Sequence, residues 1–198
     1  MIPMNSMTLF EQIEAFIPSC EQEERDKRLL LDFLEHGKTP FSRENGTAHF
    51  TASAWIVTPD REKVLMVYHN IYRSWSWTGG HADGDPDLRA VAVREAAEET
   101  GVSELRVCPV GAGMMLSLEI LPVNGHEKRG AYVSSHLHYN CTYLLEADPS
   151  APLRVKPDEN AGVRWFSPAE ALEACSEPWM AERIYPKLIR ASGGKLSH

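Results

Sequence analysis

The side chains of this 198-residue chain best suited to chemistry lie in one run, residues 80–102, GHADGDPDLRAVAVREAAEETGV. Its central part reads as a helix over residues 85–100. Asp85 is an expected N-cap, Pro86 suits the first helical position, and Gly101 is a C-terminal stop. On a wheel of about 100° per residue with Glu95 at zero, Glu98 falls near about −60° and Glu99 near about +40°. Leu88, Val91, Ala92 and Val102 fall along the same stripe, within about 60° of Glu95 by the same arithmetic. A solvated charged face belongs opposite the apolar stripe, not in line with it. Three acids on an inward-facing stripe repel one another, and desolvation raises their pKa values. Hard divalent cations relieve both problems, because Mg²⁺ and Mn²⁺ prefer carboxylate oxygens. Arg94 stands one turn before Glu98 and can hold a carboxylate in one rotamer. An acidic helix C-terminus with no such purpose opposes the helix dipole.

Other readings of these residues fail on spacing. Asp83, Asp85 and Asp87 mimic the first three ligand positions of an EF-hand loop. Leu88, however, stands where that loop needs glycine, and Arg94 where it needs a bidentate glutamate. HEKRG at 126–130 lacks the second histidine of HExxH, and neither GxSxG nor a Walker A lysine motif occurs.

The elements that must position these residues follow from pattern. Residues 8–36 read as helical with a break near Pro18, and the charged run from Glu21 to Arg28 reads as a solvated face without a functional signal. His49–Thr58 and Lys63–His69 are rich in β-branched and aromatic residues around a TPDRE turn, which predicts a hairpin. Trp75–Thr78 is a short extended piece. Two or three strands are expected between Leu105 and Ala147. In the last of these Leu137, Tyr139, Cys141, Tyr143 and Leu145 form the face expected to be buried, with His136, His138, Asn140 and Thr142 opposite. A brief strand at Val163–Phe166 precedes a helix with a capping box at Ser167 and Glu170, and a last helix covers Met180–Ala191. Helices at both ends and strands around a central helix predict an α/β fold, with a mixed sheet between helical layers.

Composition narrows the class. With 28 acidic against 20 basic residues the net charge is −8, so neither a nucleic-acid backbone nor an anionic membrane is an expected main partner. A phosphorylated small molecule remains compatible if a divalent cation stands between it and the acids. Cys20, Cys108, Cys141 and Cys175 form no CxxC pair and fit reduced thiols. The first residues, MIPMNSMTLFEQIEAF, lack the basic region of a signal peptide, and the longest uncharged stretch is too short to span a bilayer. A cytoplasmic protein is expected, with a homodimer left open.

The run at 80–102 resembles the Nudix box, GX5EX7REUXEEXGU, with U a bulky aliphatic. Gly80, Arg94, Glu95, Glu98, Glu99, Gly101 and Val102 match in spacing, and Ala96 is a small version of the aliphatic position. The first glutamate of the box falls on Pro86, which can neither bind metal nor accept a proton; Asp83, Asp85 and Asp87 flank it. The resemblance implies a Nudix-like α/β/α sandwich over residues 46–198, with residues 1–45 as a helical extension. It further implies metal-dependent hydrolysis of a diphosphate linkage in a nucleoside diphosphate joined to another moiety. Glu95, Glu98 and Glu99 would hold Mg²⁺ or Mn²⁺, with the Gly80 carbonyl as an added ligand. Glu98, Glu95 or Glu159 would take the proton from water, and Arg94 would orient a glutamate. Glu159 enters because Nudix proteins often carry an acid in a loop before a tryptophan-containing strand. His136 and His138 are expected to line the substrate pocket with His81 at its border, and the pair is not expected to bind a transition metal, because no third ligand is evident. Trp75, Trp77, Tyr68 and Tyr72 read as core or rim aromatics. An isopentenyl-diphosphate isomerase-like enzyme is the alternative, although no cysteine lies in WTGGHADGD where its nucleophile belongs. A non-catalytic Nudix-like nucleotide-binding module is the third reading, resting on Pro86.

Overall fold

The computed structural model describes residues 7–128 and 130–196. Two helices come first, α1 (Leu9–Ala15) and α2 (Glu21–His36), broken around Pro18 as the pattern requires. The strands β1 (Ala48–Val57), β2 (Val64–His69), β3 (Ser74–Ser76) and β4 (Thr78–His81) lead into α3 (Leu88–Thr100). Then come β5 (Arg106–Val107), β6 (Met115–Val123), the short pair β7 (His126–Lys128) and β8 (Ala131–Val133), and β9 (His136–Glu146). After β10 (Asn160–Phe166) and α4 (Pro168–Ala174), a π-helical turn at Met180–Ile184 runs into α5 (Tyr185–Ala191).

The main sheet has the order β10-β2-β1-β9-β5, with β3 on β2, β4 on β1 and β6 on β9. Only the central β1–β9 pairing is parallel, so the sheet is mixed as predicted, and its middle strands are covered on both faces. Alternate residues of β1 divide between two cores. Phe50, Ala52, Ala54 and Ile56 meet α1, α2 and α3, including Leu9, Ile13, Leu30, Leu88, Val91, Ala92 and Ala96. Trp55 and Val57 meet α4, the π-helical turn and α5 through Ala171, Ile184, Tyr185, Leu188 and Ile189. The resulting α/β/α layering fixes α3 against β1 and β4.

Three local expectations change. The helix α3 starts at Leu88, and its N-cap is Asp87, which accepts from the Ala90 amide at 3.1 Å. Pro86 disfavours a helical conformation at residue 85. The Asp85 carboxylate instead accepts from the Asp87 amide at 3.0 Å, a turn outside the helix.

The charged run of α2 is not wholly solvated. Glu23 is 1% exposed, pairs with Lys187 at 3.1 Å, and accepts from Ser19 and Ser117. Lys187, itself buried, also reaches Glu119 at 3.0 Å and Gln22 at 2.8 Å. Burial pushes the Glu23 carboxyl up, but the Lys187 ammonium and the serine donors outweigh it and hold the group below its ordinary range.

The histidine face of β9 is not an exposed one either. Asn140 and Thr142 are fully buried beneath the same network, with Asn140 donating to Glu119 at 3.1 Å and accepting from Thr51 and Ser53. Both faces of β9 bury, one on an apolar core and one on a satisfied polar layer.

Candidate active site

The C-terminal half of α3 looks onto β4 and a turn before β10, and that junction gathers the acids. Glu99 is 3% exposed, and the Gly79 amide donates to it at 2.9 Å. Burial pushes its carboxyl up to about 8; the Gly79 amide opposes this, while the charges of Glu159 and Glu95 add to it. Glu95 is raised as well, by burial and then by the charge of Glu98. Gly80 lies directly against Glu95. A Cβ there would come within 2.5 Å of the carboxyl carbon, so any larger residue would push the Glu95 side chain from its place. Arg94 reaches Asp85 at 3.5 Å and Glu95 at 3.7 Å, and so braces the first of the three glutamates.

The turn at 156–160 brings in the remaining charges. Asn160, buried, donates to the Glu99 carbonyl at 3.0 Å and accepts from the Lys156 amide at 3.2 Å, while the Lys156 carbonyl accepts from the amides of Glu159 and Asn160. The Arg154 amide donates to the Thr100 carbonyl at 2.8 Å. Gly101 ends α3 with φ 76°, against the backbone of Arg154. The helix end and the turn are therefore fastened at two successive carbonyls. As a result Glu95, Glu99 and Glu159 each offer a carboxylate oxygen within 4.8 Å of the others.

Glu98 lies beside this group rather than in it. Lys156 Nζ donates to Glu98 at 2.7 Å and reaches Glu159 at 3.1 Å, and these two carboxylates raise the lysine pKa against the opposing effect of burial. Lys156 carries no recognisable pattern in sequence and escaped the sequence reading. The three aspartates around Pro86 are all engaged elsewhere: Asp83 is held bidentately by Arg43 at 2.7 Å, Asp85 faces Arg94, and Asp87 caps α3.

These residues open into a cleft of about 640 Å³. Its wall includes Thr51, Ser53 and Asn140 from the buried polar layer, and Tyr72, Trp77 and Trp179 contribute aromatic surface. Tyr72 and Trp179 are exposed, at 45% and 55%, whereas Trp75 packs edge-on against Phe166 in the core. Of the histidines expected there, His81 and His138 line the cleft. The fold also brings them together with His136 and with His49, which the sequence reading had left inside a strand. One ring nitrogen of each of the four lies within 4.8 Å of the others.

The carboxylate group fits a hard divalent cation, because a buried Glu99 with one amide donor is left without a counter-charge among its hydrogen-bond partners. Such a helix, its acids and the layered mixed sheet define a Nudix-type fold. The chain belongs to the Nudix family: the family model described as NUDIX domain matches residues 47–188. Solved structures agree in fold. The chain is similar to the dihydroneopterin triphosphate pyrophosphohydrolase of E. coli, with a TM-score of 0.52 and 13% identity over 73% of this chain and 96% of that one. It is also similar to the Nudix hydrolase RenU of M. smegmatis, with a TM-score of 0.51 and 16% identity over 76% and 90% of the two chains. No curated protein matches at a significant level. No helix among the described residues is long and apolar enough to cross a membrane.

Proposed function

We propose that this chain is a divalent-metal-dependent Nudix pyrophosphohydrolase that cleaves a diphosphate linkage in a nucleoside diphosphate joined to another moiety. The observation that carries the reading is Glu99, a buried carboxyl pushed up to about 8 inside a group of three acids at the wall of a cleft. Glu95, Glu99 and Glu159 would hold Mg²⁺ or Mn²⁺, with the Gly80 carbonyl as an added ligand. The bound cation supplies charge neutralisation at the bridging and leaving oxygens of the diphosphate.

The chain's own residues do the rest. Arg94 keeps the Glu95 carboxylate in place from its bridge to Asp85. Glu98, oriented by the Lys156 ammonium and partly exposed, is the carboxylate that accepts the proton of the attacking water. Lys156 neutralises Glu98 and Glu159 and is placed to turn its ammonium to a substrate phosphate oxygen. Tyr72 and Trp179 offer flat apolar surface to the nucleoside end. The net charge of −8 supports a small cation-bound anion as substrate rather than a nucleic acid or membrane. The dihydroneopterin triphosphate named for one structural neighbour adds a nucleotide-like triphosphate to the compounds worth testing.

The test is phosphate or pyrophosphate release across a panel of nucleoside diphosphate derivatives and nucleoside triphosphates, with Mg²⁺ and with Mn²⁺. Turnover that needs the metal and falls by about 100-fold or more in Glu98→Gln supports the assignment, on the scale of a lost general base. Metal binding without turnover on any member of the panel would make the chain a nucleotide-binding module.

A further inference from the structure

The four-histidine group lies outside the carboxylate site and is used by no step above. It is built by register. His49 is the direct cross-strand partner of His138 in the parallel β1–β9 pair. On the other side of β1, His81 of β4 pairs with Thr51, one same-face position along from His49. His136 precedes His138 by two residues on β9 and so shares its face. Three adjacent strands thus deliver four imidazoles to one spot, with ring centroids 4.9–5.1 Å apart for His49 against each of the other three.

Two of the ring nitrogens are set up as acceptors. His49 Nδ1 faces the Asn45 carbonyl at 3.2 Å, so the proton belongs on Nδ1 and the lone pair on Nε2. His49 is 3% exposed, and that buried Nε2 has no hydrogen-bond partner. His136 Nδ1 faces the Ser134 carbonyl at 2.8 Å, which leaves its Nε2 lone pair to accept from His138 Nε2 at 3.1 Å, a proton that a bound ion would replace. A backbone carbonyl on the far nitrogen is the arrangement that fixes the tautomer of a metal-ligating histidine.

We propose that His49, His81, His136 and His138 form a second metal site, specific for a borderline transition ion, Zn²⁺ first, and distinct from the Mg²⁺/Mn²⁺ carboxylate site. Imidazole nitrogens favour Zn²⁺ over hard cations, which the carboxylates favour. Ligands about 2.0–2.1 Å from a tetrahedral Zn²⁺ stand about 3.3 Å from one another, close to the His136–His138 separation already present. The wider separations, up to 4.8 Å, close by side-chain rotation. Four protein ligands leave no open position, so the ion is a clamp joining β4, β1 and β9 at the cleft wall rather than a second catalytic centre.

The experiment uses the full chain without a histidine tag, stripped of metal and titrated with Co²⁺ and with Zn²⁺. The proposal expects one Co²⁺ per chain with the visible absorption of a tetrahedral site, displaced by Zn²⁺, and four exchangeable imidazole N–H signals shifted by the paramagnetic ion. Those signals must survive in Glu95→Gln/Glu99→Gln. In His136→Asn/His138→Asn the affinity should fall by about 100-fold or more, beyond what loss of an outer-shell partner costs. If that double variant fails to fold, the count of shifted N–H signals in the unmutated protein decides alone. Fewer than four such signals, absence of tetrahedral Co²⁺, or loss of the site in the glutamate variant with retention in the histidine variant overturns the proposal.

Discussion

Lys156 Nζ donates to the Glu98 carboxylate at 2.7 Å, and this contact places a fixed positive charge at the edge of the acid group. The ammonium and a divalent cation are alternatives for the same negative field. Replacing Lys156 with Met should therefore tighten Mn²⁺ binding, by roughly tenfold if the lost repulsion amounts to about 1.4 kcal/mol. The same variant should raise KM, because the lysine is no longer available to the phosphate. Calorimetric titration with Mn²⁺ and steady-state kinetics separate the two effects. Weaker Mn²⁺ binding in Lys156→Met would show that the lysine organises the acids rather than competing with the ion.

Glu99 makes stability depend on pH in a definite direction. Its folded carboxyl is raised from 4.5 to about 8, so between those values the native state holds a proton that the unfolded chain has released. More protons on the native side mean that stability falls as pH rises through that window, by up to about 1.4 kcal/mol per unit. In chelator-treated protein the melting temperature should drop between pH 5 and pH 8, and Glu99→Gln should flatten that drop. Saturating Mg²⁺ should also reduce it, because the ion binds the charged, native form. A pH profile identical in the parent and in Glu99→Gln would assign the loss to other groups.

The buried ion cluster predicts a large stability effect far from the cleft. Lys187 meets Glu23 at 3.1 Å and Glu119 at 3.0 Å, all three buried, and so ties α2 to α5 across β6. Lys187→Met leaves two buried carboxylates facing each other without a counter-charge. A cost of about 3–5 kcal/mol is expected, which for a chain of this size lowers the melting temperature by roughly 6–20 °C. The triple replacement Lys187→Met, Glu23→Gln, Glu119→Gln should recover much of the loss, since it removes the charges together. Thermal unfolding of the parent, the single variant and the triple variant tests this. A single-variant loss below about 1 kcal/mol would mean that water reaches the cluster.

What could be read from the sequence was whatever repeats at short range. Glu95 and Glu99 share a helical stripe with Val91 and Val102, so their inward position follows from periodicity, whereas Glu98, at the edge of that stripe, is exposed. Ser167 and Glu170 mark the start of α4 for the same local reason. The start of α3 was misplaced at Asp85, because three aspartates alternate around Pro86 and each can act as a cap. Glu159 was reached through the family resemblance, but its neighbour Lys156 was not, since a single loop lysine carries no pattern. The histidine group needed the register of β1 against β9 and β4, and long-range register leaves no mark in a single sequence. For the same reason the alternation of β9 suggested an exposed polar face, where Asn140 and Thr142 instead join buried partners from β1 and β6.

Pro86 gives the last expectation. By the resemblance of residues 80–102 to the family's box it falls where that box has its first glutamate; in this fold it precedes the N-cap Asp87 and is exposed, outside the residues that line the cleft. Arg94, which answers the neighbouring Asp85, is already spanned between Asp85 and Glu95. A glutamate at 86 would add a solvated charge next to three existing aspartates and gain no metal contact. Pro86→Glu should accordingly change kcat by less than about threefold, under roughly 0.7 kcal/mol of barrier. Helix stability should change little, because Asp87 keeps the cap. Steady-state kinetics with saturating Mg²⁺, compared with Asp85→Asn, makes the comparison informative. Asp85→Asn loosens Arg94 and should lower kcat, since Glu95 then loses its brace. A hundredfold gain in Pro86→Glu would instead show that the residue at 86 reaches the metal group and that the native chain is a weakened enzyme.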